Sequence, residues 1–289
     1  MTELILNKRK GFKMKEIKRL VIHDGKFHAD DVMTCALVRT AFPDVRIERV
    51  SGVDDDMRND ENTVIADIGL GKYDHHQPDA PRRPYVLDNQ YTKTAPPITY
   101  KAAACGLIFE DIKDMIFKTK ESANFFFENY IRPIEAQDNV GKGVAANPLS
   151  IAIGAFNTIS TNEEDVERRF FRAVHICEEI ICAEAEAEEE RLKSEGEVEK
   201  YIAKSEDGIL ILPKYMHWCK AARKAGLNYA VMPGRDGFAL RPVRGLLPAD
   251  WLNEKPNGAN FVHQGRFIAV FRTKEYAVEA AKKLSKEGA

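Results

Sequence analysis

Histidine and aspartate residues are concentrated in a few short segments of the first half of the chain. The segments read "HDGKFHADD" from His23, "YDHHQ" from Tyr73 and "EAQDN" from Glu135, and Asp67 follows the apolar run "TVIA". Four of the 7 histidines of the chain lie in the first two segments. A set of imidazoles and carboxylates without a cysteine suits Mn²⁺, Fe²⁺, Co²⁺ or Mg²⁺ better than it suits a thiolate zinc site.

The candidate ligands outnumber what one ion needs, so the sequence favours a site for two ions. Two ions about 3.5–4 Å apart, bridged by a shared carboxylate, would use the whole set. Asp67 is expected to be buried behind "TVIA", where an unpaired carboxylate costs free energy and a cation would offset that cost. The candidates are His23, His28, Asp30, Asp67, Asp74, His75, His76 and Asp138.

Each segment also has a simpler interpretation. An aspartate at a strand end more often caps a turn or helix, and "HADD" can be read as a helix N-cap alone. An adjacent histidine pair in a loop is often merely solvated. The joint pattern favours the metal site, because these polar groups interrupt apolar segments where a purely structural reading would place none.

Apolar strands and an amphipathic helix must position these groups. "KRLVIHDG" predicts a buried strand, "DDVMTCALVRTAF" a helix with Asp30 or Asp31 near its N-cap, and "VRIERV" and "NTVIADIGLG" two further strands. Runs of β-branched apolar residues around a helix indicate an α/β fold with a mostly parallel sheet and flanking helices. In such sheets the functional side chains usually lie at the carboxyl ends of the strands, where we expect His23 and Asp67.

The second half of the chain predicts a long helix and a smaller α+β domain. Helical patterns in "TYKAAACGLIFEDI" and "ESANFFFENYIRPIEAQDN" precede the long helix, which starts near Glu163. Hairpins are expected around Gly234–Gly237 and in "ANFVHQGRFIAVFRT". The predicted domains are an N-terminal extension at 1–17, a catalytic domain at 18–160, a connecting helix at 161–200 and a C-terminal substrate-binding domain at 201–289.

The composition excludes several classes of protein. Lys+Arg 43 and Asp+Glu 45 give a net charge of -2, so there is no global basic signal for nucleic acid or membrane surfaces. No apolar run reaches the roughly 18 residues of a membrane span. The 5 cysteines form no C-x-x-C pair, which argues against a disulfide framework and fits a cytoplasmic protein.

The ordered motifs resemble those of the melanocyte proliferating gene (Myg) family of metal-dependent exonucleases, within the DHH phosphoesterase superfamily. That family reads roughly "HNGTFHCDE", "VVDVGG", "YDHHQ" and "DAVDN". This chain has "HDGKFHADD", "VIADIGLGKYDHHQ" and "EAQDN" in the same order, within residues 18–160. The superfamily includes RecJ-type exonucleases, oligoribonuclease-type phosphatases and family II inorganic pyrophosphatases, so the resemblance implies a DHH phosphoesterase-like fold.

The resemblance also implies a role for each motif residue. The implied ligands are His23 and His28 for one ion, Asp30, His75 and Asp138 for the other, and Asp67 as the bridge. His76 would face the scissile phosphate, and Asp74 would orient a histidine. Two divalent ions are expected, with Mn²⁺ as the first choice and Mg²⁺, Co²⁺ or Fe²⁺ as alternatives.

Basic residues in two regions are candidate substrate contacts. They are Arg82 and Arg83 after "YDHHQ", and His263, Arg266, Arg272 and Lys274 near the C-terminal hairpin. Ordinary surface charge is the simpler interpretation of each. A further basic set, Arg235, Arg241 and Arg244, lies near the other predicted hairpin. Ala269 and Val270 stand where the family usually has a double glycine, which would let a substrate phosphate approach the backbone closely.

The resemblance implies a two-metal-dependent phosphoester hydrolase, namely an exonuclease-like phosphodiesterase that acts on single-stranded RNA or oligonucleotides. One alternative is a phosphatase or pyrophosphatase for a small molecule with the same metal site. The other is a non-catalytic metal-binding regulatory protein, which the altered C-terminal hairpin keeps open. The expected partner is the phosphorylated substrate, with no membrane, and a homodimer is also open.

Overall fold

The computed structural model describes residues 17–85, 98–140, 147–157 and 162–287. The predicted N-terminal extension therefore lies almost wholly outside the described residues. The chain divides into two compact units, Met1–Glu188 and Glu189–Ala289. The four-part division expected from the sequence stays a prediction.

A three-stranded parallel sheet forms the centre of the first unit. Strand β1 (Arg19–His23) lies between β2 (Arg46–Val50) and β3 (Thr63–Ile65). Because the strands are parallel, their carboxyl ends meet at one edge of the sheet. His23 ends β1, and Asp67 follows β3 by two residues, so both lie at this edge. The predicted α/β class with a parallel sheet is confirmed.

The central strand of the sheet is buried on both of its faces. Leu20, Val21 and Ile22 of β1 are all fully buried, as expected for a parallel strand with helices on both sides. Helix α1 (Ala29–Ala41) is buried over its first ten residues and packs against α3 (Ala104–Ile116). The first turn of α1, which carries the "HADD" motif, is therefore held inside the core.

The remaining elements of the first unit surround this sheet. They are α2 (Asp55–Asn59), β4 (Arg82–Tyr85), β5 (Ile98–Lys101), α4 (Lys120–Phe126), a π-helical turn (Phe127–Ile131), α5 (Arg132–Val140) and α6 (Pro148–Gly154). The prediction of a helix from Thr99 was wrong for its first residues. Thr99 and Tyr100 belong to β5, which pairs antiparallel with β4, and such residues favour strands.

Helix α7 (Glu163–Ile202) leads from the first unit into the second, whose sheet is mostly antiparallel. Its strand order is β6-β7-β8-β10-β9, and only β6 and β7 are parallel. The bounds are β6 (Ile209–Ile211), α8 (Cys219–Lys224), β7 (Tyr229–Gly234), β8 (Gly237–Pro242), a 3₁₀-helix (Asp250–Leu252), β9 (Ala259–Val262), β10 (Ala269–Phe271) and α9 (Lys274–Glu287). Both predicted hairpins and the smaller α+β domain are confirmed.

Helix α3 meets a buried carboxylate at a glycine. A Cβ on Gly106 would lie 1.6 Å from Oε1 of Glu135 in α5. Glu135 is fully buried. Its Oε2 lies 3.0 Å from Nε of Arg83 and accepts a 3.2 Å hydrogen bond from the Tyr100 hydroxyl. Only glycine leaves room here for this buried ion pair.

The contact predicts that Gly106→Ala destabilises the protein. Overpacking of this kind costs about 1–3 kcal/mol, and here the displaced group is a buried charge. Gly196→Ala is the matched control, since Gly196 lies in α7 with no neighbour within 4 Å of an added Cβ. The control should gain about 0.5–1 kcal/mol from helix propensity. Urea unfolding followed by circular dichroism measures both, and equal stability of Gly106→Ala and wild type would contradict the packing described.

Candidate metal centre

The first of three groups of possible metal ligands contains Asp67, His75 and His76, with the Asp67 carboxylate at its centre. Its Oδ1 lies 3.3 Å from Nδ1 of His75 and 3.7 Å from Nδ1 of His76, and its Oδ2 lies 3.4 Å from Nε2 of His23. The residue is buried. Asp67 therefore uses both of its oxygens toward different histidines, as a bridging ligand must.

The second group contains Asp30, His75 and Asp138. The His75 ring lies between the two carboxylates, with Nδ1 3.8 Å from Asp30 Oδ2 and Nε2 3.2 Å from Asp138 Oδ2. Asp30 is anchored by α3, because its oxygens accept hydrogen bonds from the backbone N–H groups of Ala104 (3.0 Å) and Cys105 (2.7 Å). The N-terminus of α3 thus stabilises a carboxylate of the site.

The third group adds Asp31, a residue that the sequence analysis did not count as a ligand. Asp31 Oδ1 lies 2.7 Å from Nε2 of His23, and Asp31 Oδ2 accepts a 2.7 Å hydrogen bond from the backbone N–H of His28. Ligand atoms of His23, Asp31 and Asp67 all lie within 4.8 Å of one another. The signal in the sequence was the second acidic residue of "HADD", which reaches back to the N-cap as in a capping box.

His28 lies at the start of α1, next to the clustered carboxylates. It is the N-cap residue of α1, its side chain is 67% exposed, and its Nδ1 lies 3.7 Å from Asp138 Oδ1. The ring of His28 therefore lies beside Asp138, while its backbone N–H is bound by Asp31. Its assignment to the ion of His23 stays a prediction.

The loop after β3 is bent to present Asp67. Asp67 and Leu70 have positive φ angles of 54° and 56°, a left-handed conformation that only a few per cent of non-glycine residues adopt. The Asp67 N–H donates to the Tyr73 carbonyl at 2.9 Å. This bond holds the "YDHH" motif beside the end of β3. Backbone conformations of this kind cluster at functional sites.

Asp74 fixes the ring of His76. Asp74 Oδ1 lies 2.7 Å from Nδ1 of His76 and accepts a 2.9 Å bond from the His76 backbone, while Oδ2 accepts from Leu70 N–H at 2.7 Å. Burial acts to raise the pKa of Asp74, but these bonds hold the pKa below its ordinary value. The carboxylate is buried, whereas the His76 side chain is 59% exposed. Asp74 is thus placed to orient His76.

The cluster carries more negative charge than its histidines balance at ordinary pKa values. Hydrogen bonds to Asp31 and Asp67 raise the pKa of His23 to about 11. Burial acts to lower the pKa of His75, but the bond to Asp138 and the charges of Asp30 and Asp67 raise it to about 9. Burial also raises the pKa of Asp30 and of Asp67. A bound cation would relieve this crowding of carboxylates.

The donor atoms fit divalent ions. Among the described residues, Asp67 Oδ1 and His75 Nδ1 are buried atoms that face each other at 3.3 Å without forming a hydrogen bond, and such atoms are costly unless something binds them. They are a carboxylate oxygen and an imidazole nitrogen, the ligands preferred by Mn²⁺ and related ions. Asp31, Asp67 and His23 would hold one ion, and Asp30, His75 and Asp138 the other, with Asp67 between the groups.

The basic residues proposed to bind substrate have varied surroundings. Arg83 points to Glu135, and its guanidinium carbon lies 4.7 Å from the centroid of the Phe127 ring. Arg82 is exposed and donates to the Thr99 carbonyl at 2.8 Å. Lys101 also lies near the site, although the helical pattern of its segment does not single it out. Its Nζ donates to the Gln77 carbonyl at 2.9 Å, beside the histidine pair.

The candidates of the second unit lie around β9 and β10. His263 Nδ1 accepts from Gly265 N–H at 2.9 Å, and Arg272 Nε donates to Asn260 at 3.2 Å. Arg266 Nη1 donates to the backbone at 3.3 Å, and Lys274 is exposed at the start of α9. Their role in substrate binding stays a prediction.

Comparison with known proteins gives one family. The family MYG1_exonuc, described as an uncharacterised protein family (UPF0160), matches residues 19–229. MYG1 exonuclease of Homo sapiens is 24% identical over 194 residues, which cover 60% of this chain and 51% of the human protein. The MYG1 protein of Chlamydia muridarum is 21% identical over 292 residues, which cover 89% and 93%. The chain thus spans about half the length of the human relative.

A solved structure of exonuclease RecJ bound to manganese is also similar. It covers 93% of this chain and 90% of its own, at 13% identity and a TM-score of 0.30. The superposition is too loose for residue roles to be carried over from it.

Asp31 should matter for metal binding. We expect Asp31→Asn to weaken Mn²⁺ binding on the order of 10–100-fold, because it removes a carboxylate from His23 and from the ion. Asp24→Asn is the matched control, since Asp24 is exposed in the same segment. Calorimetric titration of the metal-free chain with Mn²⁺ measures both. Equal affinity of Asp31→Asn and the control would exclude Asp31 from the site.

Proposed function

The chain belongs to the MYG1_exonuc family, and we propose that it is a two-metal-dependent phosphoester hydrolase. The observation that carries the proposal is the position of Asp67 between two groups of carboxylates and imidazoles at the carboxyl edge of a parallel sheet. Mn²⁺ is the proposed ion, since the donors are oxygens and imidazole nitrogens. Two such ions supply Lewis-acid stabilisation of phosphate oxygens and a water of lowered pKa.

Some residues of the site would bind the metal ions, and others would act on the substrate phosphate. Asp67 would hold both ions, and Asp30, anchored by α3, would keep the second group in place. His76 would contact the scissile phosphate as an electrophile or as a proton donor. Its position supports this role: Asp74 fixes Nδ1 at 2.7 Å, and more than half of the side chain is open to solvent. Donors fixed in advance toward developing charge lower the barrier of the reaction.

We propose single-stranded RNA or short oligonucleotides as the substrate. The human and bovine relatives are both named MYG1 exonuclease, which supports a nuclease. A small-molecule phosphatase or pyrophosphatase would use the same metal centre and is the second outcome of the test.

Ala269 is fully buried and pairs with Leu240 and Val262 in the sheet. The side chain that replaces the family's first glycine is thus used for packing.

Two further expectations from the sequence, a cytoplasmic location and a homodimer, stay predictions. Of the helices formed by the described residues, none has the length and apolar character needed to cross a membrane.

The substrate class is tested by hydrolysis with Mn²⁺. Oligoribonucleotides, oligodeoxynucleotides, mononucleotides and pyrophosphate are compared at equal concentration. We expect turnover of the oligoribonucleotides, lost when Mn²⁺ is chelated. Turnover of mononucleotides or pyrophosphate alone would contradict the nuclease proposal and favour a small-molecule phosphatase or pyrophosphatase. No turnover of any substrate by chain that has bound Mn²⁺ would favour the regulatory metal-binding protein.

The histidine pair separates catalysis from metal binding. His76→Ala should lower the hydrolysis rate on the order of 10²–10³-fold, the usual loss for one transition-state donor, with metal content nearly intact. Asp67→Ala should lose metal and activity together. The matched control is His175→Ala, because His175 is an exposed histidine of α7. The measurements are metal per chain by elemental analysis and the hydrolysis rate.

Two results would contradict this assignment. If His76→Ala loses metal as fully as Asp67→Ala, then His76 is a ligand and not a phosphate contact. If neither change lowers the wild-type rate, the reaction takes place at another site.

A further inference from the structure

A cavity of about 470 Å³ lies within the second unit. Its lining comes from the last turns of α7, the segment 215–220 that leads into α8, the end of β8 with the turn 242–245, and Phe267. The volume is in the range of small-molecule sites. The metal-centre residues all belong to the first unit, so this cavity is a separate feature of the chain.

The lining is strongly basic. Its cationic residues are Arg191, Lys220, Arg223, Arg241 and Arg244. The carboxylate among the lining residues is Glu195, and its Oε1 accepts a 2.6 Å bond from Nη1 of Arg191. Within the described part of the chain, no carboxylate forms an ion pair with the other four cations. An excess of positive charge in a concave site attracts an anion.

The arginines are held in place before any ligand binds. Nε of Arg223 donates to the Val243 carbonyl at 3.1 Å, and Nη2 of Arg244 donates to the Arg223 carbonyl at 3.3 Å. The guanidinium carbon of Arg241 lies 5.9 Å from the ring centroid of Trp218 and 5.8 Å from that of Phe267. Guanidinium groups fixed in this way suit phosphate better than mobile lysines do.

Exposed aromatic rings accompany these cations. Tyr215 is 63% exposed and Phe267 is 42% exposed, and both line the cavity. Exposed rings beside a basic groove are the stacking surfaces that proteins offer to nucleobases. Inorganic phosphate or an acidic peptide would use the cations and leave the rings unused.

We propose that this cavity binds one nucleotide, with its phosphate at the cluster of Lys220, Arg223, Arg241 and Arg244 and its base stacked on Tyr215, the more exposed of the two rings. The inference deepens the proposed function and rests on it for the expectation that the nucleotide is part of an oligonucleotide. Binding of the nucleotide itself does not need the metal centre.

The test uses the full chain freed of metal with a chelator and adenosine 5′-monophosphate as the probe. Without cations, the carboxylates of the metal centre repel phosphate, so calorimetric titration reports the cavity. We expect Tyr215→Ala and Lys220→Gln each to weaken binding about tenfold or more. Tyr215→Phe and Lys220→Arg should restore it. Arg235→Gln is the matched control, since Arg235 is exposed in the β7–β8 turn and does not line the cavity.

Three results would overturn the proposal: no binding of adenosine 5′-monophosphate by the metal-free wild type, equal affinity for inorganic phosphate, or equal affinity in Tyr215→Ala, Lys220→Gln and the control. Failure of the proposed function looks different. If the protein binds the nucleotide through Tyr215 and Lys220 but hydrolyses nothing with Mn²⁺ bound, the nucleotide site stands and the proposed hydrolase activity is wrong. If the protein hydrolyses substrate but neither variant changes nucleotide binding, the hydrolase activity stands and the nucleotide site is wrong.

Discussion

The burial of several carboxylates at one edge of a sheet is the constraint on which the first unit depends. Asp30, Asp31 and Asp67 are each at most 5% exposed, and buried charges are expensive unless they are paired. The fold offsets part of this cost with helix ends. Asp30 accepts two N–H groups at the start of α3, and Asp31 accepts the N-cap N–H of α1. Asp30 and Asp31, which belong to the candidate metal centre, thus also bind the N-terminal N–H groups of two helices.

A further buried carboxylate, Glu135, supports the same site. Glu135 lies three residues before Asp138 in α5, so the two share one face of the helix. Burial raises the pKa of Glu135 to about 7 against the opposing effect of Arg83. Arg83 and Tyr100 reach Glu135 from β4 and β5. This ion pair ties α5 to the paired strands β4 and β5 and thereby supports Asp138 beside His75. Arg83 therefore has a positioning role whatever its part in substrate binding.

Local patterns account for what the sequence predicted. The parallel strands, the two C-terminal hairpins and the strand-end positions of His23 and Asp67 follow from short-range periodicity and turn residues. The features that the sequence does not predict correctly depend on partners distant in sequence. The sequence of β5 predicts a helix, because the strand pairs with β4, which lies on the other side of residues 86–97 in the chain. The Arg83–Glu135 pair joins residues 52 positions apart. The place of Asp31 depends on the direction of the first turn of α1 inside the core, which the letters "HADD" do not encode.

The adjacency of His75 and His76 follows from what each ring must face. The His75 side chain is 10% exposed and lies among Asp30, Asp67 and Asp138, whereas that of His76 is 59% exposed and is held by Asp74. The rings stack with centroids 4.4 Å apart. With the proposed roles, a metal ligand and a phosphate contact would share one backbone segment, itself fixed by the bond from Asp67 to Tyr73. The spacing of the two rings would then depend on one short segment of chain and not on the packing of two separate elements.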